Sequence, residues 1–228
     1  MNNLTEHYNQ LYKTSAETIS AGKYSIDLEL KNESDSRFGI TLLIRPNEEI
    51  KANIQHFIKE LKKVEPEQYF YPDSDIHVTV MSIISCSTAF TLDQISPKEY
   101  IEIICRSLVD VEKIKIHYKG VTASPSALMI QGFPSDETLN NLRNKLRENF
   151  KKSGLQQSMD SRYSIFTAHS TIMRFQEQLQ NPKKLIETAE KFRDYDFGEF
   201  EVKNLELVYN DWYQRKETTR VLGDFGLR

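Results

Sequence analysis

Two tripeptides far apart in the chain, His77-Val78-Thr79 and His169-Ser170-Thr171, each sit inside an apolar, strand-like run and are each followed by another apolar residue. Residues two apart in a strand share a face, so each tripeptide presents an imidazole and a hydroxyl side by side. In Ile76–Ser82, one face carries Ile76, Val78 and Val80, and the other carries His77, Thr79 and Met81. If the valine face packs in a core, the histidine and threonine line a groove or meet solvent. The second run divides in the same way, with His169, Thr171 and Met173 opposite Ala168, Ser170 and Ile172, although Ser170 and Arg174 make its back face less apolar.

The surrounding order of elements repeats. Phe38, Ile40, Leu42 and Ile44 predict a strand, and Asn47 caps a helix carrying Ile50, Ile54, Phe57, Ile58 and Leu61. After Pro66 and Pro72 comes the strand Ile76–Ile84. Ser96-Pro97 with Glu99 predicts a capped helix through Ile101, Ile104 and Leu108, with a strand over Ile114, Ile116 and Tyr118. The second half runs strand Leu128–Phe133, a Ser135-capped helix through Leu139, Leu142, Leu146 and Phe150, strand Phe166–Phe175, a helix after Asn181-Pro182, and strands near 200–213 and 218–225. A His-x-Thr at the same station of each half implies internal duplication, with repeats of about 37–124 and 126–213. Before them, residues 3–21 carry Leu4, Tyr8, Leu11 and Ile19 at helical spacing, and Tyr24–Leu30 alternates like a strand. Residues 1–36 are read as a helical extension to a single bilobal domain, 37–228.

A net charge of −3 excludes a protein that coats duplex nucleic acid or an anionic membrane, because displacing counterions needs a strong cationic excess. Cys86 and Cys105, both placed on apolar faces, make a disulfide framework unexpected and favour a reducing compartment. The polar N-terminus and the absence of a long uncharged apolar stretch point to a cytoplasmic protein. Oligomeric state stays open.

Imidazole titrates near neutrality, so two facing copies can serve as base and acid in one turnover, while the threonine hydroxyls donate to an anion's oxygens. A phosphodiester needs this set: a base for the attacking oxygen, an acid for the leaving oxygen, and donors for the phosphoryl charge. Neither motif has a second histidine one helical turn away or a cysteine pair beside it, so no metal and no cofactor is expected.

Arg37-Phe38, Pro72 through His77-Val78-Thr79-Val80, and Thr167-Ala168-His169-Ser170-Thr171-Ile172-Met173-Arg174-Phe175 resemble the two-histidine phosphoesterase superfamily, which includes bacterial 2′-5′ RNA ligases and cyclic phosphodiesterases. The resemblance spans about 37–213. It implies a bilobal α+β fold, two antiparallel sheets flanking a central cleft with helices outside. It also implies His77 and His169 as the acid/base pair, Thr79 and Thr171 on phosphate oxygens, and a small nucleotide or RNA-end substrate.

Other residues are candidate substrate contacts. Tyr69 and Tyr71 could stack on a base or fill the gap between lobes, and Arg162, Tyr163 and Arg174 flank the second motif. Arg143, Lys145, Arg147, Lys151 and Lys152 are read as a solvated helix face, and Trp212 as a packing residue. Three rival readings use the same features: a nucleotide or RNA-end binding module without turnover, a mutarotase-like proton shuttle on a sugar, and an interaction protein docking through residues 1–36.

Overall fold

The run Phe38–Ile44 is buried on both faces after its first residue because it forms the strand β1, which has a neighbour on either side. The computed structural model describes residues 2–161 and 164–227. Among them are the helices α1 (Asn2–Ser20), α2 (Glu48–Lys62), α3 (Pro97–Leu108), α4 (Thr138–Ser153) and α5 (Pro182–Glu190). The strands are β1, β2 (Tyr69–Phe70), β3 (Val78–Ser87), β4 (Lys115–Ser124), β5 (Ala127–Pro134), β6 (Ser170–Arg174), β7 (Asp196–Glu201), β8 (Asn204–Asp211) and β9 (Arg220–Gly226).

They form two sheets whose paired strands are all antiparallel, one ordered β3-β1-β8-β9 and the other β2-β6-β5-β4-β7. The α+β architecture with two antiparallel sheets is therefore as expected. The duplication is visible in the topology, because β1-α2-β3 and β5-α4-β6 are the same unit, each returning antiparallel beside its first strand. Both returns carry the same irregularity. Leu42 pairs with Met81 and Leu43 with Thr79, which skips Val80; Leu128 pairs with Met173 and Met129 with Thr171, which skips Ile172. The residue after each motif threonine is thus a bulge that re-aims the strand beside it.

The lobes are interleaved. Helix α2 leaves the first sheet and packs on β7 and β6 of the second, while α4 leaves the second and packs on β3 of the first. Asn47 Oδ1 accepts from Ile50 N at 3.0 Å and Asn181 Oδ1 from Lys184 N at 3.1 Å, so these two predicted helix starts hold.

Several local expectations do not. The predicted strand 200–213 is two strands in different sheets, β7 and β8, parted at Val202-Lys203. Apolar alternation continues across the crossing, so period alone cannot locate it. Tyr24–Leu30 is an extended segment leading into a 3-10 turn, Leu28–Lys31, anchored by Ser25 N to Pro125 O and Asp27 N to Phe175 O, and Leu28 is 77% exposed. Helix α4 begins at Thr138, whose amide is held by Asp136 Oδ1 rather than capped by Ser135, and Ser96 makes no side-chain cap bond. Cys105 is exposed, not on the apolar face of α3. Helix α1 is docked on β4 and α5, burying Tyr8, Tyr12, Ser15 and Ile19, while Leu11 lies beside that stripe.

Candidate active site

Both His-x-Thr motifs open onto one cavity of about 170 Å³ between the sheets, and His77, Thr79, His169 and Thr171 all line it. The back faces are closed: Val78, Val80, Ala168, Ser170 and Ile172 are fully buried. Ser170, polar where a core residue was expected, is a strut. Its hydroxyl donates to the His77 carbonyl at 2.6 Å and lies 2.5 Å from Tyr118 Oη, so the second motif is bonded directly to the first.

The imidazoles are held differently. His77 Nδ1 lies 2.7 Å from the Asp75 carbonyl oxygen, an acceptor only, so Nδ1 carries the proton and Nε2 presents its lone pair. His169 Nδ1 lies 2.8 Å from Thr167 Oγ1, which can donate or accept, so either tautomer is held. Burial pulls both imidazoles down to about 4, helped for His77 by Arg45, His169 and Arg174 and for His169 by Arg143, Arg174 and His7; the Asp75 carbonyl partly opposes the fall at His77. The protein's own groups therefore hold both neutral at pH 7. Among the described residues, neither the Thr79 nor the Thr171 hydroxyl bonds to another protein group, and both residues line the cavity.

Arg143 corrects the sequence reading most. It is fully buried, not part of a solvated face. Its guanidinium donates to Val80 O (3.0 Å), Thr79 O (3.0 Å) and Thr167 O (2.7 Å), tying both motif strands together where the bulge at Val80 turns carbonyls out of the ladder. Burial lowers it to about 10, so it stays a cation at neutral pH. A signal was available: Leu139, Leu142, Arg143, Leu146 and Phe150 fall on one helical stripe, which places residue 143 in the apolar face.

Arg174 reaches the cavity, although strict alternation sets it on the back face with Ile172. The bulge at Ile172 reverses the parity, burying Met173. Its Nε donates to Tyr71 Oη at 2.8 Å and its Nη1 lies 3.8 Å from Asp27. Tyr71 lines the cavity, but the residue is only 2% exposed. Tyr69 packs edge-on against Tyr71 at 5.1 Å and does not line the cavity. Arg162 and Tyr163 lie outside the described residues. Trp212, read as a packing residue, lines the cavity, with the Arg37 guanidinium 5.3 Å from its ring centre; Asn210 and Gln214 flank it. These three come from the end of β8, which only the crossing between sheets brings beside β1.

Behind the second motif, Tyr8 Oη donates to Gly132 O at 3.2 Å and accepts from Ala168 N at 3.3 Å. A Cβ at Gly132 would collide with the Ala168 carbonyl and approach Tyr118 Cε1 to 2.9 Å. Gly132→Ala is expected to lower Tm by about 5 °C, the result of overpacking one close strand contact, and to reduce turnover by displacing His169; thermal denaturation with a parallel activity assay checks both.

Among the described residues, no cluster of three or more His, Cys, Asp or Glu side chains is arranged to hold a metal, and no helix is long and apolar enough to cross a membrane. Two sheets presenting paired His-x-Thr motifs to one cavity define a class, and sequence comparison agrees with it. The family model of the 2′-5′ RNA ligase superfamily matches residues 50–213, more than two thirds of the chain, and the protein belongs to that family. No curated protein matches it in sequence. Among solved structures, TT0787 of Thermus thermophilus superposes with a TM-score of 0.57 at 17% identity, covering 83% of this chain and 98% of that one. LigT of E. coli complexed with 3′-AMP gives 0.56 at 14% identity, covering 84% and 98%, and LigT complexed with ATP gives 0.52 at 13% with the same coverage. At these identities the likeness is one of fold.

Proposed function

We propose that the protein is a metal-independent phosphodiesterase that hydrolyses a small cyclic phosphate, such as a nucleotide 2′,3′-cyclic phosphate or an RNA end. The observation that carries this is two differently held imidazoles and two ligand-ready hydroxyls around one cavity. His77, with Nε2 unprotonated, takes the proton of the attacking water as its oxygen bonds to phosphorus. The bond from phosphorus to the ribose oxygen breaks, and His169 in its imidazolium form gives that oxygen its proton. Thr79 and Thr171 donate to the non-bridging oxygens as charge builds on them. LigT has been crystallised with 3′-AMP and with ATP, which supports a nucleotide as the ligand class here.

With both imidazoles near 4 before substrate binds, the singly protonated pair becomes about tenfold rarer per pH unit above that value. Log kcat/KM is therefore expected to fall with a slope near −1 between pH 5 and 8. In the complex the phosphate anion raises the pair, so the limb in kcat lies at higher pH. Steady-state profiles over that range check this, and a kcat/KM that rises with pH would contradict it.

The direct test is hydrolysis of 2′,3′- and 3′,5′-cyclic nucleotides in EDTA. Turnover of at least one is expected. Tight nucleotide binding without turnover would make the protein a binding module.

A further inference from the structure

The middle of segment 24–30 is packed against its own pattern. Apolar alternation over Tyr24, Ile26, Leu28 and Leu30 should turn those side chains inward and the residues between them outward. Instead Ile26 is 36% and Leu28 77% exposed, while the Asp27 side chain between them is only 18% exposed. Drawing a carboxylate in and leaving two apolar side chains in water opposes stability at each position. Conflict of this kind between local pattern and packing is expected where function selects the residue.

The backbone fixes where this carboxylate lies. Asp27 N donates to Phe175 O at 2.7 Å, and Phe175 directly follows Arg174 at the end of β6. Ser25 N donates to Pro125 O at 2.8 Å, and the Tyr24 ring meets that of Phe175 edge-on at 5.7 Å. Asp27 Oδ1 then accepts from Tyr213 Oη at 2.9 Å, and Oδ2 lies 3.8 Å from Arg174 Nη1. The Arg174 guanidinium is thus held at three points: Tyr71 Oη on its Nε at 2.8 Å, the Tyr213 ring 5.6 Å from its central carbon, and the Asp27 charge. Asp27 itself does not line the cavity. Among the described residues that do, Arg174 is the one with a permanent positive charge.

We propose that Asp27 is a positioning residue: a segment before β1 supplies the carboxylate that sets the Arg174 guanidinium toward an anion bound between the two motifs. The inference rests on the phosphodiesterase reading of the cleft for the identity of that anion. A long arginine side chain binds an oxyanion best when its planar fork is set in advance, because ordering it on binding costs entropy. At 3.8 Å the attraction between Asp27 and Arg174 is one of charge, with no hydrogen bond for an incoming anion to break. Asp27 lies outside residues 50–213, so this segment adds to a site whose two motifs lie within the family-matched region.

The test measures 3′-AMP binding by calorimetry for the wild type, Asp27→Asn, Arg174→Met and the double variant. Asp27→Asn keeps the shape and an acceptor for Tyr213 Oη while removing the charge. It is expected to weaken binding about tenfold, the loss of one charge-assisted contact. With Arg174→Met in place, the same substitution is expected to change binding by less than about twofold, because the group it acts through is gone. KM for a cyclic nucleotide that is turned over is expected to repeat this pattern, with kcat changing less than about threefold. Unweakened or tighter binding in Asp27→Asn overturns the proposal. So does an equal loss with and without the Arg174 guanidinium, which would make Asp27 a general support of the fold. An Arg174-dependent loss of 3′-AMP binding in a protein that turns over no cyclic nucleotide defeats only the phosphodiesterase reading; a wild type that neither binds 3′-AMP nor turns over a cyclic nucleotide defeats both.

Discussion

His77→Ala and His169→Ala are each expected to lower kcat for a cyclic phosphate by about a hundred- to ten-thousandfold, the usual worth of one positioned proton donor or acceptor, with KM moving only a few fold. In the proposed mechanism the two act in one step, so the double variant should fall little below the slower single one. The variants should also differ in their pH profiles. Without His77 the limb that requires a neutral base disappears; without His169 the decline toward high pH disappears, because that decline reports loss of the acid's proton. The Nδ1 partners explain the asymmetry, a carbonyl at His77 and a hydroxyl at His169. Pre-steady-state and steady-state assays on folded variants check this. Equal activity of wild type and both variants would remove the mechanism.

Arg143→Ala is expected to destabilise the protein by about 3–5 kcal/mol, the range seen when one member of a buried charged network is removed. Three carbonyls from both motif strands lose their donor at once, and a cavity opens beneath β3. For a chain of this size that is a fall in Tm of roughly 10 °C. Arg143→Lys keeps the charge but not the planar fork that reaches Thr79 O, Val80 O and Thr167 O together, so it should recover less than half of the loss. Because the guanidinium also helps hold His169 neutral, Arg143→Met should shift the alkaline limb of kcat/KM to higher pH, a readout that lost packing alone does not produce. Chemical denaturation of the three variants, with a pH profile of the methionine variant, tests both parts.

The legible parts of this fold are those governed by short-range periodicity. Alternation over Phe38–Ile44 and 76–84, the Asn47 and Asn181 caps, and the repeated station of the two His-x-Thr motifs all follow from neighbours a few residues apart. The motif residues were legible for the same reason, since a strand with a valine back face leaves its polar face only a groove or solvent. Arg143 reads as part of a solvated face because its charge masks its place on the Leu139, Leu142, Leu146 stripe, Trp212 reads as a packing residue, and nothing local ties Trp212 or Gln214 to a site.

The amino-acid order alone determined the duplicated strand-helix-strand units and the pairing of imidazole with hydroxyl in each, because both depend on the pleat and the helical turn. Tertiary structure decided that the two units face one cavity, that the bulge at Ile172 turns Arg174 inward, and that the crossing after β7 delivers Trp212 and Gln214 to the cleft. Those features come from pairings between residues distant in the chain, whose register is set by the packing of whole sheets and leaves no period to read along a single segment.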